Sequence, residues 1–222
     1  RGDERRGEIC PENRGLIRLE LVAHGRRGHT GVRAAQADLS GRLFQARDDL
    51  LPLFARRLTL DGQDEWRSQA RFPYVEVGEA GVFNVTADSG ALGIEIRPIP
   101  QDDTHRLLDE IRAYAGAHDL EVRLVAAEDG IVCDPANPYL RMLIEAVTEV
   151  GKAPARLGRK LPATSARFAP LGQGVVWGQS GVGPHAPDER HYLPSVLPYL
   201  HALDALATRL HTADISPLPP EA

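Results

Sequence analysis

Four short stretches carry residue types able to do chemistry. "LVAHGRRGHTGV" (21–32) sets His29 at a glycine-bordered corner between a strand-like run and a helical pattern. An imidazole there is accessible, and either ring nitrogen can serve a ligand, a partner subunit or simply nearby backbone. "NVTADSGALGIEIR" (84–97) places Asn84, both donor and acceptor, thirteen residues before Arg97, whose planar fork suits a carboxylate gripped at two points. On spacing alone, Arg97 is equally able to pair with Glu95 or Asp102. "LPATSARFAP" gathers Thr164, Ser165 and Arg167 in one loop, a set suited to an anion. "SGVGPHAPDER" puts His185 just before Asp188 and Glu189. A metal ligand with carboxylate support has this composition, although one histidine by itself binds no metal tightly.

Periodicity defines the elements that must position these groups. Residues 15–24 alternate, with Ile17, Leu19, Leu21 and Ala23 on one face and Arg18, Glu20 and His24 on the other, which predicts a half-buried strand. Val32, Ala35, Leu39, Leu43 and Ala46 form a helical stripe. Pro52 predicts a break, with a second short helix beginning near Asp48 or Asp49. Residues 72–85 and 91–100 read as two strands joined through "TADSG", followed by a helix over "DDTHRLLDEIRAYAGAHD" and a strand over "LEVRLVAAEDG". Strand, helix, strand, strand, helix, strand is an α+β order. It predicts a ferredoxin-like βαββαβ domain over 13–127, an antiparallel four-stranded sheet with two helices on one face.

Residues 128–222 are organised differently. Asn137 and Pro138 predict the start of a helix that runs to Val150, Val175–Trp177 a short strand, and the leucines at 193, 197, 200, 203, 206 and 210 a closing helix. So few strands cannot close a core alone, so this half is expected to be the C-terminal portion of a larger α/β domain.

Composition narrows the classes. With 42% apolar residues and 26% charged residues of both signs, the 222-residue chain reads as globular. A net charge of −5 gives no basis for a nucleic-acid partner. No apolar run approaches the roughly 18–20 residues that span a bilayer, and "RGDERRGEIC" lacks a signal-peptide core, so no membrane partner and a cytoplasmic location are expected. Cys10 and Cys133 make neither a disulfide framework nor a zinc set. Because the chain starts at Arg1 and holds a single methionine, Met142, inside a helical pattern, it is expected to be a piece of a longer polypeptide.

In this order and at these separations the motifs resemble the zinc-dependent amidohydrolase and metallopeptidase family of acetylornithine deacetylase, succinyl-diaminopimelate desuccinylase, aminoacylase and carboxypeptidase G. "GRRGHTG" is similar to the family's Gly-His-Ser/Thr corner, "NVTADSGALGIEIR" to its Asn and Arg segment, "TSAR" to its "TSDAR" loop and "GPHAPDE" to its closing histidine motif. The resemblance implies a ferredoxin-like dimerisation lid followed by the C-terminal part of a zinc-hydrolase catalytic domain. By the same resemblance His29 reaches into the partner's active site and polarises the scissile amide carbonyl. Asn84, Arg97, Thr164, Ser165 and Arg167 bind substrate, especially its carboxylate. His185 is a zinc ligand supported by Glu189. Ser165 stands where the family has aspartate.

The implied activity is hydrolysis of an N-acyl amino acid, a peptide or a similar small substrate by a homodimer. Two zinc ions are expected in the complete enzyme, with cobalt or manganese as alternatives, and such a site lowers the pKa of a bridging water from 15.7 toward about 7. The family's earlier metal-binding segment has no counterpart here, so this chain offers one ligand and is expected to be inactive alone. The alternative reading is a non-catalytic truncated homologue that acts as a dimerisation or small-ligand-binding module.

Overall fold

The structure, a computed structural model, describes residues 7–31, 38–61, 65–183 and 186–213. In chain order its elements are β1 (Ile9–Asn13), β2 (Leu16–His24), β3 (Gly28–His29), α1 (Leu39–Arg57), β4 (Gln69–Val77), β5 (Val85–Thr86), β6 (Ser89–Arg97), α2 (Thr104–Ala117) and β7 (Leu120–Glu128). There follow β8 (Ile131–Val132), α3 (Pro138–Gly151), β9 (Leu157–Lys160), β10 (Gly181–Val182), β11 (Arg190–His191) and α4 (Val196–Thr212). They form two compact units, Arg14–Gly130 and the remainder on either side of it.

The first unit grows from the alternation in β2. Ile17, Leu19, Leu21 and Ala23 are buried against α1 and α2, while Arg18, Glu20 and His24 face the open side of the sheet. The sheet runs β4-β6-β2-β7, antiparallel at every pairing. This is the ferredoxin-like βαββαβ arrangement that the order of elements predicts. Polar pairs cover the open face: Arg18 with Glu95 at 2.9 Å, Tyr74 with Glu20 at 2.6 Å and His24 with Glu121 at 2.8 Å. Hydrogen bonding to the Glu20 carboxylate, then burial, pushes the Tyr74 phenol up to about 12. Gly93 is needed beneath it, because a Cβ there would run into the Tyr74 ring.

Three sequence expectations change here. Pro52 does not end a helix; α1 is continuous through it. A mid-helix proline costs about 3 kcal/mol, but Leu50, Leu53 and Phe54 are buried around it and contribute about 1.5–3 kcal/mol each. Residues 72–85 are not one strand, because β4 stops at Val77 and Gly78 and Gly81 follow at φ 72° and 86°, a region other residues seldom adopt. The next strand spans 89–97 rather than 91–100, ending where Pro98 removes a ladder donor. Residues 32–37, at the head of the expected first helix, lie outside the described residues.

In the second unit β1 is central to a three-stranded sheet, antiparallel to β8 and parallel to β9. The expected strand 175–177 is a single bridge between Val176 and Cys10. Ile9, Cys133, Leu140 and Leu143 form the core, with Trp177 and Leu206 packed on it. Asn137 caps α3 as predicted, its Oδ1 accepting from the backbone N–H of Tyr139 at 2.9 Å and of Leu140 at 3.3 Å. Asn137→Ala is therefore expected to lower stability by about 1 kcal/mol, read as a lower urea midpoint with an unchanged slope. The α4 stripe is only partly covered: Ala202 is buried, whereas Leu197 and Leu200 are 63% and 56% exposed. Among the described residues no helix is long and apolar enough to cross a membrane.

Candidate functional site

The β3–β5 ribbon extends β2 and β6 past the end of the main sheet and positions the first pair of predicted residues. His29 lies opposite Val85, Gly28 opposite Thr86, and the Thr30 N–H donates to the Asn84 carbonyl at 3.1 Å. The Thr86 hydroxyl ties the ribbon to the carbonyls of Arg26 and Gly28, at 2.9 and 3.1 Å. His29 and Asn84 are thus neighbours, both exposed.

The tautomer of His29 follows from its hydrogen bond to the backbone. Its Nδ1 accepts from the Gly31 N–H at 3.0 Å, so in the neutral ring the proton sits on Nε2. Part of the simpler reading therefore holds, since one nitrogen is bonded to nearby backbone. The other is left as a donor with no partner among the described residues. Gly31 allows this approach, because a Cβ there would lie 3.2 Å from Nδ1.

Arg97 stands at the other end of β6. That strand is nine residues long, so its ends lie about 26 Å apart at 3.3 Å per residue. Its far end is the one at which the chain enters and leaves this unit, since β2 begins and β7 ends there. The Arg97 Nε donates to Glu95 at 3.2 Å, whereas Asp102 accepts instead from Thr59 and Ser68. Hydrogen bonds from Arg18 and Arg97 hold the Glu95 carboxyl below the usual range, against the opposing effect of its burial.

Thr164, Ser165 and Arg167 cluster at a 3-10 turn of the second unit, Ser165–Phe168. The Thr164 hydroxyl accepts from the Ala166 N–H at 3.3 Å and donates to Asn13 Oδ1 at 2.7 Å. Arg167 donates to the Thr164 carbonyl at 2.8 Å and lies over the Phe168 ring. Asn13 is buried, and its Nδ2 has no partner among the described residues. Sequence reasoning missed Asn13, an amide between Glu12 and Arg14 with nothing in its neighbours to single it out.

Glu189 is exposed in the turn between β10 and β11, its N–H bonded to the Ala186 carbonyl at 3.0 Å. His185 lies outside the described residues. Among the described residues no three histidine, cysteine, aspartate or glutamate side chains come together to hold a metal ion. The described residues alone therefore do not fit a zinc site.

The chain thus combines a βαββαβ unit that presents an exposed histidine and asparagine beyond its sheet with a smaller α+β unit. Residues 11–123 match the sequence model of the peptidase dimerisation domain of the M20 peptidases. The chain belongs to the M20 peptidase family.

Solved structures agree in fold. Dug1p, a dipeptidase from Saccharomyces cerevisiae, superposes with a TM-score of 0.70 at 13% identity, over 95% of this chain and 57% of its own. The aminopeptidase PepT from Bacillus cereus gives 0.66 at 13% identity, over 95% and 56%. AtUAH, solved in complex with (S)-hydroxyglycine, gives 0.64 at 15% identity, over 93% and 49%. The chain thus spans about half the length of these structures. A search of curated proteins returns no match.

Proposed function

We propose that this chain is the dimerisation lid and the C-terminal catalytic part of a metal-dependent amide hydrolase acting on an N-acyl amino acid, a dipeptide or a similar small substrate. The observation that carries the reading is the His29 and Asn84 pair, exposed beyond the sheet, with no partner for Nε2–H among the described residues, in a chain that matches a peptidase dimerisation domain. A donor in that state suits the polarisation of an amide carbonyl and the oxyanion that forms from it.

The length of β6 divides the labour. His29 and Arg97 are too far apart on one lid to meet in one small-molecule site. In a homodimer, His29 and Asn84 serve the partner's site and Arg97 serves its own chain's, where it takes the substrate carboxylate; Thr164, Ser165 and Arg167 are further substrate-binding residues. His185, supported by Glu189, is the metal ligand this chain contributes, and zinc is the proposed ion.

A dimer surface is available for this. Asp49 accepts from Tyr114 at 2.8 Å, and Arg56 and Arg57 bond to Glu110, which fixes the flank of α1 that faces α2. Leu51 is two residues on from Asp49, about 200° around the helix. It is 51% exposed on the opposite flank, with Phe44 nearby at 47%.

The test uses the complete enzyme. It is expected to hydrolyse N-acyl amino acids or dipeptides, to lose activity to a chelator and to regain it with zinc. Failure to turn over either substrate class in the presence of metal would leave the non-catalytic reading.

A further inference from the structure

The Arg97 end of the lid gathers several arginines around the Glu95 carboxylate. Arg18 on β2 pairs directly with Glu95 on β6, and Arg71 on β4 pairs with Glu95 from the other side. Residues opposite one another in an antiparallel sheet share a face, so Arg18, Arg71, Glu95 and Arg97 all lie on the open one. Glu95 accepts from Arg18 Nε at 2.9 Å and from Arg97 Nε at 3.2 Å. Each guanidinium is therefore held by its inner nitrogen, and the terminal nitrogens of both have no hydrogen-bond partner among the described residues.

Two further observations point to an anionic ligand. Arg14 is only 4% exposed, one of its terminal nitrogens donates to the Glu65 carbonyl, its Nε is without a partner among the described residues, and it senses Arg67, Arg97 and Arg71 through space against the opposing charge of Glu65. A cavity of about 320 Å³ also opens beside the Arg18–Glu95 pair. Gly93 and Ile94 line it, together with Tyr74, Pro73 and Val125. It offers an apolar surface next to charged donors, as a site for a small amphiphilic acid does.

We infer that Arg18 is a specificity-determining residue that, beside Arg97, selects a substrate carrying a second carboxylate, such as an N-acyl or dipeptide derivative of an acidic amino acid. The inference rests on the reading of Arg97 as the residue that takes the first carboxylate. Glu95 is the positioning residue. It fixes both forks by Nε and leaves their outer edges to bind carboxylates side-on, while the carbon chain of the ligand lies against Tyr74 and Val125.

The test is calorimetric titration of this chain with N-acetylglycine, which has one carboxylate, and N-acetylaspartate, which has two. The unaltered chain is expected to bind N-acetylaspartate about ten-fold tighter, the effect of one charge-assisted contact. Arg18→Gln should abolish that preference and leave N-acetylglycine unchanged, with Arg18→Lys recovering part of it. Arg18 is half exposed, so an unchanged thermal midpoint separates loss of binding from loss of fold. An unaltered preference in Arg18→Gln, or no preference in the unaltered chain, overturns the role of Arg18. Arg97→Gln is expected to lose both ligands. If it binds N-acetylglycine normally, or if the unaltered chain binds neither ligand, the reading of Arg97 falls, and the role of Arg18 falls with it.

Discussion

Replacing His29 by alanine in the complete enzyme is expected to lower kcat by about 10²–10³-fold while KM changes only a few-fold, because the lost contact strengthens as the oxyanion forms. The Gly31 N–H occupies Nδ1, which commits Nε2 to donating. The side chain is exposed, so its removal should leave stability nearly unchanged. A stronger test follows from its separation from Arg97 along β6. Variants His29→Ala and Arg97→Ala, each strongly impaired alone, should regain activity when mixed and allowed to exchange subunits. Every mixed dimer then has one site with both groups intact and one with neither. With random exchange in a two-fold dimer the recovered rate approaches about a quarter of the unaltered enzyme's. Unchanged kcat in His29→Ala rejects its proposed role, and no recovery on mixing rejects the division between partner and own chain.

The largest effect on stability is expected at Phe54. It is 1% exposed and stacks on Phe72 of β4, with ring centroids 5.8 Å apart. It also lies two residues beyond Pro52, whose cost its burial helps to offset. Phe54→Ala should therefore cost about 3–5 kcal/mol, measured by guanidinium denaturation. Phe44→Ala on the exposed flank of the same helix should cost under about 0.5 kcal/mol for the monomer. Similar losses at the two positions would mean that α1 is not anchored by the face described.

These expectations draw on parts of the molecule that were unequally legible in the sequence. β2 could be read because one face is buried and the other wet, so its alternation is written residue by residue. The cap of α3 could be read because Asn137 acts on backbone two or three residues away. β1 could not, because its partners are remote: Ile9 pairs with Leu157 and Cys10 with Val176, and "ICPEN" has no periodicity of its own. The continuity of α1 depends on burial around Pro52, which outweighs a local rule. At the candidate site, the motifs pointed to His29, Asn84 and Arg97. Arg18 and Glu95 were visible as charges on the open faces of strands, but only the register that sets them opposite each other gives them a shared role.

β6 carries a constraint that no single side chain expresses. A strand reverses its faces with every residue, so one insertion between Gly90 and Arg97 would turn Arg97 toward the helices, where Ile94 and Ile96 now pack. A second would restore its face but carry it farther from His29 by about 6.6 Å. The strand can change length only in pairs of residues, and each pair resets the span between His29 and Arg97 that the proposed dimer would have to bridge. Among descendants of this lid, length in β6 is expected to be inherited more faithfully than sequence.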